Sequence, residues 1–221
     1  MKLHTVFITH NRLELTKRAL ESYRATVTLQ HSYMVVDNAS TDGTDLWLRG
    51  QRECEFLLLK ENRYPGYATN IGWSYAPDDA THLQRADNDF IFLPGWCDEV
   101  KRVFSEQRRR QLGQLGLRTD LEEAYAATNV GGNCIVDRRL WEDGIRWDER
   151  PWPQLRDEIG AGWTEDSLMS KAVRRWGWRW ARVEVPCIQP ISSEAEDDPY
   201  YQQTWRDRGI RQFEQSDRPA Q

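Results

Sequence analysis

Residues 82–96 read HLQRADNDFIFLPGW, and this stretch joins three kinds of segment. THLQRA (81–86) has the length and apolar content of a strand, while PGWCDEVKRVFSEQRRR, from Pro94, reads as a helix. Between them Asp87 and Asp89 flank Asn88. Asp-Asn-Asp is good turn chemistry, because short polar side chains bond to the nearby backbone. Two carboxylates one residue apart are also hard oxygen ligands of the kind that Mg2+ and Mn2+ take. Both readings are open within the stretch, and its neighbours bear on the choice.

Upstream, strand and helix patterns alternate. HTVFIT (4–9) is a β-branched apolar run, and LELTKRALESY (13–23) puts Leu15, Ala19 and Tyr23 on one helical face. SYMVVD (32–37) is a second strand, followed by a loop rich in turn and cap residues, NASTDGT. TDLWLRGQ gives a short helix, EFLLLK (55–60) a third strand, and PGYATNIGWSYA (65–76) a helix opened by Pro65. Such alternation implies parallel strands joined by right-handed crossovers, with ligands at the carboxyl ends of the strands. The segments HNR (10–12), DNASTD (37–42) and DND (87–89) follow three of those strands and therefore converge on one rim. That convergence favours a site over a simple turn.

Beyond about residue 110 the rhythm changes. YAATNV (125–130) reads as a strand leading into GGNCIVDRRLWEDG. WTEDSLMSKAVRRWGW (163–178) starts a helix with Thr164 as N-cap, and RWARVEV (179–185) is a strand. The last residues, EQSDRPAQ (214–221), are expected to form a flexible tail. There is no internal repeat and no clear linker, so a single domain is expected over 1–213.

The chain carries a formal net charge of −5 and an isoelectric point near 5.5, which argue against broad nonspecific nucleic-acid binding. Its mean hydropathy of −0.80 comes with 39% hydrophobic and 11% aromatic residues, enough for a packed core. No apolar run approaches the ~20 residues of a membrane helix. The start, MKLHTVFITHNRLE, breaks its apolar stretch at His10-Asn11-Arg12, unlike a secretory leader, so a cytoplasmic location is expected. Cys54, Cys97, Cys134 and Cys187 are scattered and read as reduced core thiols. Neither GxGxxG nor GxxxxGK[ST] occurs, which removes dinucleotide and P-loop readings. Eleven tryptophans are many, with eight between Trp141 and Trp205; some are core, and a subset can stack on sugars or bases.

Taken in order, these segments resemble the family-2 glycosyltransferases, enzymes of the GT-A fold that use nucleotide sugars. TVFITHNR is similar to the family's first strand and donor loop, and VVDNASTDGT to its VVDDGSTDGT stretch. ENRYPGYATNIGW is similar to its N-x-G-x-x-G-x-x-N-x-G segment, RADND to its DxD-type metal motif, GGNCIVDRRLWEDGIRWDE to its glycine-led strand and "fDE", and TEDSLMSKAVRRWGW to its late "ED…GW" helix. The resemblance covers about Thr5 to Val185. It implies an α/β fold with a Rossmann-like, mostly parallel sheet flanked by helices and a smaller acceptor-side lobe on the same core. The nucleotide-sugar-binding half is expected over about 1–110 and the acceptor and catalytic half over about 111–190.

The same resemblance implies roles. Asp37 would accept hydrogen bonds from the base, with capping of its own loop an equal alternative. Thr9, Asn11 and Arg12 would line the nucleotide pocket, with Arg12 near phosphate. Asn70 would hold ribose or base, or make a local turn contact. Asp87 and Asp89 would manage Mn2+ or Mg2+, with Asp89 the direct ligand. Asp166 would be the general base of an inverting displacement, with Glu165 beside it orienting the acceptor; against this stands the ordinary preference for acidic residues in a first helical turn. Trp163, three residues before Asp166, would stack on the acceptor. The donor implied is a UDP-sugar, with TDP- and GDP-sugars open, and the acceptor a hydroxyl, most simply of a saccharide. A hydroxylated DNA base or protein side chain is the alternative acceptor, and a non-catalytic nucleotide-sugar- or glycan-binding module the alternative class. Two departures stand out. All four histidines precede the DND motif, so Gln189 stands about where many relatives have a metal-binding histidine, and Tyr64 replaces a glycine of the third motif.

Overall fold

The computed structural model describes residues 1–107, 111–118, 130–161 and 164–191. Strand β1 (Lys2–Thr9) is buried at nearly every position, as a strand covered on both faces must be. Around it lie β2 (Gln30–Asp37), β3 (Glu55–Leu58), β4 (His82–Asp87), β6 (Leu112–Arg118), β7 (Cys134–Asp137) and β8 (Arg179–Pro186). They form one seven-stranded sheet in the order β3-β2-β1-β4-β7-β6-β8, in which β7 alone runs against the rest. The short strands β5 (Phe90–Phe92) and β9 (Ile188–Pro190) pair antiparallel beside it.

Alternation along β1 splits the core into two layers. Leu3 and Phe7 face helices α1 (Leu13–Thr26), α2 (Thr44–Arg49) and α4 (Trp96–Glu106), which contribute Tyr23, Leu48, Trp96 and Val100. Val6 and Ile8 face α3 (Tyr64–Trp73), α5 (Arg138–Glu142) and α7 (Glu165–Arg175), which contribute Trp73, Leu140 and Met169. A further helix, α6 (Trp152–Ile159), precedes α7. All four cysteines are free and buried. Among the described residues no helix is long and apolar enough to cross a membrane.

The elements read from the first half of the sequence are present with shifted ends. Helix α1 runs one turn further than 13–23, to Thr26, and β4 takes in Asp87. Strands β5, β6 and β9 and helix α6 were not legible. Glycines interrupt the LGQLGLR of β6, and three-residue strands are too short to show a period. The strand expected over 125–130 lies outside the described residues except for Val130.

Candidate active site

The rim inferred from the strand order is real. Thr9 is in register with Asp37, and Ile8 with Asp87, so β1, β2 and β4 end together. The loop after β1 is strained, because Asn11 (φ 58°) and Arg12 (φ 61°) are both left-handed without being glycine. Such residues persist only where their surroundings hold them. Here the Asn11 amide donates to Ser40 Oγ (2.7 Å), its Oδ1 accepts from the Thr41 amide (2.8 Å), and the Leu13 amide donates to Asp42 Oδ2 (2.8 Å). The first two polar clusters are thereby stitched to each other. Asp37 accepts from the Ser40 amide and hydroxyl, and burial raises its carboxyl above the usual range.

The third cluster joins them through its middle residue. Asn88 is buried, and its Nδ2 lies within bonding reach of Thr9 Oγ1 (3.1 Å), Thr16 Oγ1 (2.9 Å) and the Asn11 carbonyl (3.3 Å). The flanking carboxylates remain partly exposed, with side chains 28% accessible for Asp87 and 16% for Asp89. Arg12 Nη1 donates to Asp89 Oδ2 at 3.1 Å. Burial and the charge of Asp87 push the Asp89 carboxyl up to about 6, against the pull of Arg12. Turn chemistry and carboxylate chemistry thus coexist in Asp-Asn-Asp, divided between its middle and its ends.

The second half closes on this rim. In α7 Thr164 is the N-cap residue, but its hydroxyl donates to Asp166 Oδ1 instead of capping an amide; the same oxygen accepts from the Ser167 amide (2.8 Å). Glu165 is 2% exposed, with Oε1 accepting from Arg85 Nη1 (2.9 Å) and Oε2 from Trp152 Nε1 (2.6 Å). Arg85 Nε also donates to Asp87 Oδ1 (3.0 Å), and Asn133 accepts from the Asp87 amide (2.9 Å). At Gly132 a Cβ would lie 2.7 Å from Arg85 Nη2 and Asp87 Oδ2, so a larger residue there would push on that ion pair.

Asn70 is placed differently from Thr9, Asn11 and Arg12. Its Nδ2 donates to the Trp147 carbonyl (2.9 Å) and Glu149 Oε1 (2.8 Å), and its Oδ1 accepts from the Trp147 amide (3.1 Å). It therefore staples α3 to the Trp147-Asp148-Glu149 loop. Trp163 lies outside the described residues. Arg85, Asn133 and Trp152 were missed in the sequence. For Arg85 a signal existed, because Leu83, Arg85 and Asp87 share one face of a strand with period two.

Two carboxylates fit a hard divalent ion only if the donor supplies further oxygens, since among the described residues no group of three or more His, Cys, Asp or Glu could hold a metal. Mg2+ is commonly bound in that way, by one or two carboxylates with substrate phosphates and water. Gln189 lies on β9 in register with Ile91, and the Ile191 amide donates to the Asp89 carbonyl (2.8 Å), so the late segment does return to the motif.

Solved structures with the same architecture are GT-A glycosyltransferases. The mannosyltransferase PcManGT from Pyrobaculum calidifontis, in complex with GDP-Man and Mn2+, aligns with a TM-score of 0.66 at 18% identity, over 92% of this chain and 59% of that one. S. aureus TarS 1–349 aligns with a TM-score of 0.64 at 16% identity, over 91% of this chain and 63% of that one. Its complex with UDP-GlcNAc gives 0.65 at 15%, over 86% and 58%. The chain thus spans about three fifths of the length of these structures. No curated protein matches it by sequence. The fold is GT-A, a mostly parallel sheet between helices. Residues 5–115, half of the chain, match the model for glycosyl transferase family 2, and the chain belongs to that family of glycosyltransferases.

Proposed function

We propose that this glycosyltransferase is metal-dependent and inverting, and moves a sugar from a UDP-sugar to a hydroxyl of a saccharide acceptor. The observation that carries the reading is the convergence of Asp87 and Asp89, at the end of β4, with the start of α7, where Asp166 stands beside an ion-paired Glu165. Thr9, Asn11, Arg12 and Asp37 form the donor side of the rim, with Arg12 directed to phosphate and Asp37 toward the base. A divalent ion, Mn2+ or Mg2+, held by Asp89 and Asp87 with the donor phosphates, would act as a Lewis acid on the departing diphosphate. Asp166 takes the proton of the acceptor hydroxyl as its oxygen bonds to the anomeric carbon and the carbon–phosphate oxygen bond breaks. With Oδ1 held by Thr164 and Ser167, Asp166 keeps its second oxygen, without a partner among the described residues, for that proton. Asn70 contributes through the wall it builds. GDP-Man and UDP-GlcNAc in the two similar enzymes support a nucleotide-sugar donor.

The test is UDP, GDP or TDP release from a panel of nucleotide sugars, with Mn2+, Mg2+ or EDTA. A UDP-sugar should be hydrolysed only with metal present. Asp166→Asn should lower turnover by about 10²–10⁴-fold, the usual worth of a positioned base. Its UDP affinity should stay within about twofold, as for a group that acts only in the transition state. Near-normal turnover in that variant would place the base elsewhere, with Asp148 or Glu149 next to examine.

A further inference from the structure

Arg85 lies in β4 and is 4% exposed, a position where an unpaired ion would cost several kcal/mol. It is paired twice, with Asp87 Oδ1 at 3.0 Å and Glu165 Oε1 at 2.9 Å, and its guanidinium carbon lies 4.8 Å from the Trp147 ring centre. Burial by itself would lower its pKa, but Asp87, Glu165 and Asp166 outweigh that and raise it, so Arg85 stays charged. Trp152 Nε1 occupies the other oxygen of Glu165, and a Cβ at Gly132 would lie 2.7 Å from the Arg85–Asp87 pair. One planar cation therefore joins the end of β4 to the first residue of α7.

Stability does not explain this arrangement. Buried Arg–carboxylate triads are commonly no more stabilising than apolar side chains of similar volume. What the guanidinium fork supplies is geometry, because its donors are rigid and two carboxylates on separate elements are held at a set separation. Here those carboxylates are Asp87, on the donor side, and Glu165, the chain neighbour of Asp166.

We propose that Arg85 is a positioning residue: by bridging Asp87 and Glu165 it fixes the donor-holding end of β4 relative to Asp166 and transmits donor occupancy to the start of α7. Glu165 then acts through Arg85 and Trp152 and does not orient the acceptor directly. The inference rests on the reading of Asp87 as donor-side and Asp166 as acceptor-side.

Three variants test it. Arg85→Met strands a buried Glu165 and should be strongly destabilised in urea. Arg85→Met with Glu165→Leu removes both charges and should recover most of that stability. Glu165→Gln keeps volume and breaks only the charged bridge. In the wild type, UDP with Mn2+ should slow amide exchange in the first turn of α7. In Glu165→Gln and in the double variant that protection should vanish. UDP release from the hydrolysed donor should fall by roughly 10²-fold, the scale of a small misplacement of reacting groups, with donor KM within about threefold. Recovery of hydrolysis together with stability in the double variant, or α7 protection retained without the bridge, would overturn the proposal. If the double variant does not fold, Glu165→Gln decides by the same two measurements. Failure of the underlying functional reading looks different: no donor is hydrolysed by the wild type, or Asp166→Asn is fully active, while exchange in α7 still reports on the bridge without any turnover.

Discussion

Replacing Asn70 by alanine separates a wall residue from a nucleotide ligand. Asn70 is 6% exposed and exchanges hydrogen bonds with both the amide and the carbonyl of Trp147, itself 2% exposed. It also donates to Glu149, and α3 presses so close to the same loop that a Cβ at Gly66 would lie 1.8 Å from the Asp148 carbonyl oxygen. Truncation removes the Asn70 partners of two buried Trp147 backbone groups, each costing about 1–3 kcal/mol, so a loss of roughly 2–6 kcal/mol is expected. For a chain of this size that lowers the Tm by roughly 4–24 °C. Asn70→Asp should be worse, because a carboxylate cannot donate to the Trp147 carbonyl and is repelled by Glu149. Urea and thermal unfolding followed by tryptophan fluorescence measure the loss. Calorimetry with UDP and Mn2+ at a temperature where the variant is folded should give an affinity within about threefold of wild type. Unchanged stability with UDP binding weakened tenfold or more would refute the reasoning and make Asn70 a nucleotide ligand.

Two further outcomes follow from the same geometry. UDP affinity should depend on Mn2+, and Asp89→Asn should lose more of the metal-dependent part than Asp87→Asn; calorimetry in Mn2+ and in EDTA checks both, and the reverse order would make Asp87 the principal ligand. His4 is 1% exposed, and burial lowers its pKa from 6.5 to about 4. A depressed folded-state value means that the stability tied to neutral His4 is complete above pH 6.5 and is lost as the pH falls toward 4. At about 1.4 kcal/mol per unit this amounts to up to ~3 kcal/mol. Urea unfolding at pH 7, 5.5 and 4.5 should show that fall, and His4→Gln should flatten it. Equal slopes in both proteins would mean that His4 does not titrate in this window.

What could be read from the sequence was what is local. The alternation that makes β1, β2 and α1 lies within their own residues, and the convergence of the HNR, DNASTD and DND clusters follows from parallel strands without knowledge of any contact. Local signals also fixed where the DND motif sits, though not that Asn88 turns inward while its two neighbours remain accessible. What was illegible is long-range pairing. Asn70 meets Trp147 across 77 residues and Arg85 meets Glu165 across 80, and no periodicity reports such partners. Tryptophan content was equally mute about place: Trp73, Trp96 and Trp147 are core, Trp152 donates to the site, and Trp176 is 59% exposed.

The wiring of the rim gives the proposed metal requirement a physical basis. Among the described residues, Asp37, Asp87, Asp89, Glu165 and Asp166 set five carboxylates around it, and the guanidiniums paired with them are Arg12 and Arg85. Arg85 is spent on two of these carboxylates, and Arg12 is already on Asp89. Each carboxylate has a partner that fixes its direction, so the site is ordered before any donor arrives, but its charge is not balanced. At an effective dielectric near 20, two like charges about 5 Å apart repel by ~3 kcal/mol. A nucleoside diphosphate would meet several such repulsions on entering this rim. The upward push on Asp89 comes first from burial, and the charge of Asp87 adds the same kind of repulsion from within. A divalent cation held by Asp89 together with the diphosphate would turn these repulsions into attractions. Among the described residues, Arg12 offers one positive charge against all of them, which is why nucleotide affinity should collapse with EDTA and not merely decline.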